Sequence, residues 1–376
     1  MLPHPLTAPA KVYIDITARC NLRCRYCYHF DSPAEVPSDL PASEWVSFFK
    51  ELERSGVLTV NISGGEPLIR PDISSILASL AGGRLRFELI TNGSLLTPEI
   101  AGLIASLRRC NYVQISLDGP EAVHDSARGA GSFQGAISAI RLLTERGVPV
   151  VTRTTIGRHN LGRLMETAEL VLDELGLPFF TTNCVTIENL CTKDPAALEL
   201  SLPDIIASAA EHRAVLDRYP GKLQGGTSPF GLLKRWHAVF EARRANAPCG
   251  RYQGCLSGCG GVFTQLGVRA DGIMVPCEQL SQIGMGRINR DSLLEVWRAA
   301  SGIEKIRARR DIPLRNFDYC RDCGYVSWCV GGCPASGVLD DSDPARRACR
   351  PCLSDLEQLI GYDGMSALFA RMRFEA

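Results

Sequence analysis

The chain has 376 residues, 45% of them hydrophobic, and balances 41 Lys and Arg against 41 Asp and Glu. It can therefore bury a large core, and it carries no net field that would draw nucleic acid or an anionic membrane surface. Met1 opens no basic-then-apolar segment and no apolar run approaches membrane-spanning length, so the expected location is the cytoplasm with no membrane partner.

Over the first two thirds, short β-rich runs alternate with helical periodicity, the pattern of βα units around a parallel sheet. After a tail of residues 1–10, a first strand is expected at Lys11–Arg19, followed directly by Cys20, Cys24 and Cys27, with Tyr26 before the last. The stripe Trp45/Phe48/Phe49/Leu52 marks a helix, Val57–Ser63 a second strand, and Gly64-Gly65-Glu66-Pro67 the loop after it. Ile73/Ile76/Leu77/Leu80 leads to a third strand, Leu85–Asn92, and Ile100/Leu103/Ile104/Leu107 to a fourth, Tyr112–Asp118. Two more follow at Val148–Ile156 and Leu177–Val185. The stripes are packing faces and receive no catalytic role. Six units are too few to close an eight-stranded barrel, so the expected fold is α/β, an open partial (β/α)6 TIM-like barrel with its site on the loops after the strand C-termini. From about Ser228 the texture changes, and after Pro248-Cys249 cysteine and glycine dominate. The boundary is placed near residue 235, giving a barrel over 11–235 and a cysteine-rich region over 236–376.

Sixteen cysteines would suit a disulfide scaffold in a short secreted chain, but in a long chain without a signal peptide they read as soft-metal ligands. Cys20, Cys24 and Cys27 form C-x3-C-x2-C, one thiolate short of saturating a [4Fe-4S] cluster, which leaves one iron open to a chelating ligand. This segment, followed by Gly-Gly-Glu-Pro at the next strand end, resembles the radical S-adenosylmethionine (SAM) superfamily. The resemblance implies that the ligand is the methionine end of SAM and that one electron from the cluster yields a 5′-deoxyadenosyl radical. It also implies roles for single residues. Tyr26 would sit beside cluster and adenine. Gly64 and Gly65 would let backbone approach the methionine ammonium, and Glu66 would position that end. Asn92 would bond the ribose, while Ser116 and Arg128, twelve positions apart, would hold the SAM carboxylate, which a guanidinium fork fits. His124 is expected to be structural.

Further on, Cys259, Gly272 and Cys277, then Cys320, Cys323, Cys329 and Cys333, then a last cysteine, resemble the seven-cysteine signature of SPASM domains. The resemblance implies two auxiliary [4Fe-4S] clusters with interleaved ligands, Cys277 and Cys333 on the first, Cys320, Cys323 and Cys329 on the second. An eighth ligand upstream is Cys255 or Cys249, with Cys255 preferred; the last is Cys349 or Cys352, with Cys352 preferred. Cys110, Cys184 and Cys191 read as small buried hydrophobes. Glu278 follows Cys277 at a position where sulfatase-maturing relatives carry an aspartate base, so it is the candidate base.

The resemblance implies a peptide maturase whose radical takes hydrogen from a ribosomally made precursor, leading to oxidative crosslinking, rearrangement or excision. A flavodoxin or ferredoxin would supply electrons. Only some ten residues precede the first strand, too few for a leader-binding fold, so a separate leader-binding partner, or recognition by the barrel itself, is expected. Two alternatives are a formylglycine-generating sulfatase maturase and, from another class, a non-catalytic iron-sulfur electron carrier.

Overall fold

A computed structural model describes residues 4–27, 39–185, 198–333 and 352–374. Its centre is one sheet of ten strands in the order β10-β9-β8-β1-β2-β3-β4-β5-β6-β7. Six parallel strands answer the sequence expectation: β1 (Lys11–Asp15), β2 (Thr59–Ser63), β3 (Arg86–Thr91), β4 (Cys110–Ser116), β5 (Val150–Ile156) and β6 (Phe180–Cys184). All pair in sequence order, the progression that right-handed βα crossovers produce.

The alternation within the strands explains the layering. In β1, Val12 and Ile14 are fully buried on one side while Lys11, Tyr13 and Asp15 are only partly so. The apolar side meets helices such as α1 (Ala42–Arg54), which buries Trp45, Phe48, Phe49 and Leu52, and α3 (Pro98–Leu107), capped by Thr97 with Pro98 in its first turn. The polar side forms a rung in register: Tyr13 beside Asn61, Asn61 beside Glu88, Glu88 beside Tyr112. Glu88 accepts from Lys11 Nζ at 2.7 Å and from Asn61 Nδ2 at 2.9 Å, so its buried charge is paired.

Four further strands went unread in the sequence. β7 (Leu223–Thr227) adds to β6 in parallel; its Leu-Gln-Gly-Gly-Thr has a single buried residue and no β-branched run, so it lacks a strand signature. β8 (Gln265–Val268) pairs in parallel with β1, and β9 (Ile273–Val275) and β10 (Gly286–Arg287) follow antiparallel. The β8–β9 turn has Gly272 at φ +82°, where a side chain would be strained and would press on Leu40. The cysteine-rich region is thus continuous with the barrel sheet. Residue 235 lies inside α8 (Pro229–Arg244), which crosses the expected boundary without a break. The last helix, Leu353–Met372, returns to the barrel: His237 and Phe240 of α8 pack on Phe369, and Arg373 pairs with Asp217 of α7 (Leu202–Arg218). Among the described residues, no helix is long and apolar enough to cross a membrane.

Candidate functional site

The strand C-termini converge on a cavity of about 220 Å³. Its first wall is the loop after β1, where Cys20, Cys24 and Cys27 all reach the lining. Local hydrogen bonds set their course: Leu22 N donates to Cys20 Sγ at 3.4 Å, Cys27 N to Cys24 O at 3.1 Å, and Arg25 N to Ala127 O at 2.9 Å, which ties the loop to α4 (Glu121–Arg128). Burial pushes the Cys20 thiol up to about 11 and the Cys24 thiol upward as well, so a thiolate here requires a compensating cation such as iron. Three soft donors on one loop, one short of a saturated cubane, fit a SAM-binding cluster.

Gly64 and Gly65 line the same wall, and their role in the fold is specific. Gly65 N donates to Thr17 O at 2.9 Å and Glu66 N to Arg19 O at 2.8 Å, fastening the loop after β2 onto the cysteine loop. A Cβ on Gly64, whose φ is +131°, would run into the Thr17 carbonyl, and one on Gly65 would lie 2.6 Å from the Arg19 carbonyl carbon. The glycines therefore permit the approach of two loops. Glu66 is buried, and its carboxylate accepts from Leu68 N, Thr91 Oγ1 and Asn92 N at 3.0, 2.6 and 2.8 Å. It clamps the loops after β2 and β3 together and holds the backbone of Asn92. Asn92 lines the cavity, with its Nδ2 donating to Asn21 Oδ1 at 3.0 Å and its Oδ1 accepting from Ser94.

Arg128 also reaches the lining, yet the fork expected for a SAM carboxylate is occupied. Its Nε donates to Asp118 Oδ2 at 2.6 Å and its Nη2 to Asp118 Oδ1 at 3.3 Å. Asp118, missed by the sequence reading, is the hub of this corner. It is wholly buried and accepts in addition from Tyr26 Oη and from Thr155 N at 2.9 Å. Burial pushes its carboxyl up, but the Arg128 charge and hydrogen bonds outweigh that and hold it at about 2. His124 Nδ1 accepts from Asp118 N at 3.2 Å, the structural role expected of it. Tyr26 is thereby fixed beside the cysteines, with His159 stacked on its ring at a 5.2 Å centroid distance.

The second wall comes from β4 to β6 and from the turn after β9. Ser116, Arg153, Thr155 and Asn183 line the cavity, as does Cys184, which also packs against the core as the sequence implied. Cys110 packs against the core as expected, and Cys191 lies outside the described residues. Glu278 also lines this cavity, brought there because β8 joins β1 and the turn after β9 then falls over the barrel mouth. Burial, then the charge of Asp15, pushes its carboxyl up to about 7, with Arg153 opposing.

The remaining cysteines fall into two groups. Cys277, raised to about 12 chiefly by burial and then by Glu278, also feels Cys259 and Cys333. Cys320, raised to about 11 by burial, feels Cys329, Cys323 and Cys352. Cys352 caps the last helix, and Tyr319 Oη lies 3.1 Å from its thiol; Cys349 lies outside the described residues. The strip carrying Cys255 lies along the strip carrying Cys329, Gly254 N donating to Cys329 O at 2.8 Å and Ser257 N to Val330 O at 2.9 Å, while Cys249 is exposed.

With this geometry in place, likeness to known proteins is informative. Residues 14–171 match the family model of the radical SAM superfamily, and residues 259–324 match that of the SPASM iron-sulfur cluster-binding domain. The PqqA peptide cyclase of Ruegeria pomeroyi is 27% identical over 90% of this chain and 86% of its own. The mycofactocin maturase MftC of Mycobacterium ulcerans is 29% identical over 91% and 88%, and the AdoMet-dependent heme synthase of Methanosarcina barkeri is 29% identical over 86% and 91%. Among solved structures, Streptococcus suis SuiB bound to precursor peptide SuiA superposes with TM-score 0.70 at 17% identity, covering 93% of this chain and 76% of that one. Native anSMEcpe with bound AdoMet and Kp18Cys peptide gives 0.68 at 16%, covering 96% and 97%. These two share the fold. The family matches set aside the electron-carrier alternative and place iron-sulfur and SAM binding in this chain, which belongs to the radical SAM superfamily and carries a C-terminal SPASM domain.

Proposed function

We propose that the chain is a radical SAM maturase that acts on a ribosomally made peptide and leaves it oxidatively crosslinked, rearranged or cut. The observation that carries this reading is the two-walled cavity: three cluster thiols on one wall face polar side chains and Glu278 on the other. The relative named PqqA peptide cyclase supports the substrate class, and the one named mycofactocin maturase supports a maturase.

Cys20, Cys24 and Cys27 would hold the SAM-binding [4Fe-4S] cluster, which with SAM supplies a 5′-deoxyadenosyl radical when bound. Tyr26, pinned by Asp118, would flank it, and Ser116 and Asn92 offer polar contacts to the cofactor. Cys255, Cys259, Cys277 and Cys333 would hold one auxiliary cluster and Cys320, Cys323, Cys329 and Cys352 a second; Cys277 feels the charge of Cys259 and Cys333, and Cys320 that of Cys323, Cys329 and Cys352. Glu278 reaches the cavity and is the group on this wall able to take a substrate proton. A separate leader-binding protein and a flavodoxin or ferredoxin complete the proposed partners.

The test is anaerobic co-expression with each small peptide encoded beside the gene, followed by intact mass and fragmentation. A loss of about two mass units would mark an oxidative crosslink, and a larger loss excision. An aldehyde formed on a sulfatase cysteine or serine, with every neighbouring peptide unchanged, would move the assignment to formylglycine generation. The likeness to the heme synthase favours a further reading with a non-peptide substrate, which unmodified peptides together with a modified tetrapyrrole would support.

A further inference from the structure

Two arginines line the cavity, and their circumstances differ. Arg128 is committed to Asp118. The side chain of Arg153, on β5, has no hydrogen bond and no ion pair within 4 Å among the described residues, although the residue is partly buried and lines the same cavity. A guanidinium is costly to desolvate and presents a planar fork matched to a carboxylate, so leaving it unpaired inside a barrel is unfavourable unless a ligand completes it. Its neighbours favour the same ligand. Thr155 and Asn183, in register with each other across β5 and β6, line the cavity one step further on. The Asn183 Oδ1 is buried without a partner, which leaves that side chain also incomplete.

We infer that Arg153 is the cavity's receptor for a carboxylate of the substrate. This inference deepens the peptide-maturase reading and rests on it: the segment of peptide entering the barrel would carry Asp or Glu, or end in a free C-terminus. The alternative source of the carboxylate is SAM. Arg153 stands on the wall formed by β4 to β6, which it shares with Thr155 and Asn183 and which Glu278 completes, whereas Arg128 is bonded to Asp118, the residue that holds Tyr26 beside the cysteines.

The experiment offers immobilised, anaerobically reconstituted enzyme a synthetic pool of randomised octapeptides, prepared both with free and with amidated C-termini. Retained peptides are read by mass spectrometry for the wild type, Arg153→Gln, Arg153→Lys and Arg153→Glu. SAM binding is measured on each by equilibrium dialysis, and cluster absorbance verifies folding. We expect the wild type to enrich carboxylate-bearing peptides roughly tenfold over their amide counterparts, the worth of one charge-assisted contact. Arg153→Gln should lose that preference, Arg153→Lys keep part of it, and Arg153→Glu turn it toward Lys-containing peptides, with SAM affinity unchanged throughout. Enrichment confined to free C-termini would identify the terminus as the source, and enrichment of amidated Asp or Glu peptides the side chain. Peptide retention without carboxylate preference, or a preference that survives Arg153→Gln, overturns the inference and leaves the maturase reading standing. Loss of SAM affinity in Arg153→Gln overturns it in favour of the cofactor. If no peptide is retained but N-acetylglutamate binds in an Arg153-dependent way, the carboxylate receptor stands and the peptide reading falls; binding of neither overturns the inference.

Discussion

Asp118 shows how one residue can organise a site without touching the chemistry. Buried and ionised, it holds Arg128 and Tyr26 at once and receives a backbone donor from β5. Asp118→Asn keeps the shape but removes the charge that compensates Arg128. Breaking a buried pair of this kind costs about 3 to 5 kcal/mol. Urea denaturation of the reconstituted protein should show that loss, accompanied by a fall in iron bound at the Cys20 loop; an unchanged midpoint and iron content would mean that the hub is dispensable. Nothing in the sequence singles out this aspartate, since Asp-Gly at a strand end reads as a turn and its partners arrive from three separate segments. The cysteines were legible because their chemistry depends on spacing within a few residues. Arg153 was not, because whether an arginine in a strand is paired is decided by neighbours on other strands. Glu278 was found through its place after Cys277, and its arrival in the barrel mouth is a consequence of β8 joining β1. For Glu278→Gln, cleavage of SAM without peptide should stay within about twofold of wild type, while modified peptide falls by about a hundredfold or more, the range for a lost general base. Undiminished product would remove Glu278 from the proposed mechanism.

At the scale of elements, the loops after β1, β2 and β3 act as one unit because Gly64 and Gly65 let backbones touch and Glu66 clamps three donors beneath them. Gly65→Ala places a methyl against the Arg19 carbonyl with the Ala18 carbonyl beside it, and backbone there cannot give way as a side chain could. The cysteine loop should shift, with loss of SAM binding in equilibrium dialysis and of iron at that loop. Gly102, inside α3 with open space around it and ordinary helical geometry, is the matched control. There alanine should stabilise by about 0.5 to 1 kcal/mol through lower unfolded-state entropy, seen as a higher urea midpoint with activity retained. If both substitutions behave alike, the loop-approach argument fails. The same scale explains which strands the sequence revealed. β2 to β5 carry β-branched runs bounded by turns, so they announce themselves; β7 has two glycines among its five residues and is mostly exposed, and β8 to β10 are only two to four residues long, below what periodicity resolves.

Over the whole molecule, the cysteine-rich region is bound to the barrel at both ends. β8 extends the sheet from β1, and the last helix, with Cys352 at its N-cap, packs back on α7 and α8. A cluster held by Cys320, Cys323, Cys329 and Cys352 would therefore link a surface loop to the barrel's far flank, and metal loading would be felt as stability of the entire fold, because a ligand bound only in the native state shifts unfolding by mass action. Cys352→Ala should lower iron by about four atoms per chain, the content of one cubane, and should lower the thermal midpoint. Cys349→Ala should do neither. Cys277→Ala should remove a similar amount of iron while leaving the signal of the second auxiliary cluster in electron paramagnetic resonance, since its thiols belong to the other group. Were Cys349→Ala and Cys352→Ala to exchange these outcomes, the last ligand would be Cys349 and the linkage through the N-cap would be lost. Were Cys277→Ala and Cys320→Ala to abolish one and the same signal, the cysteines would form a single shared centre in place of two.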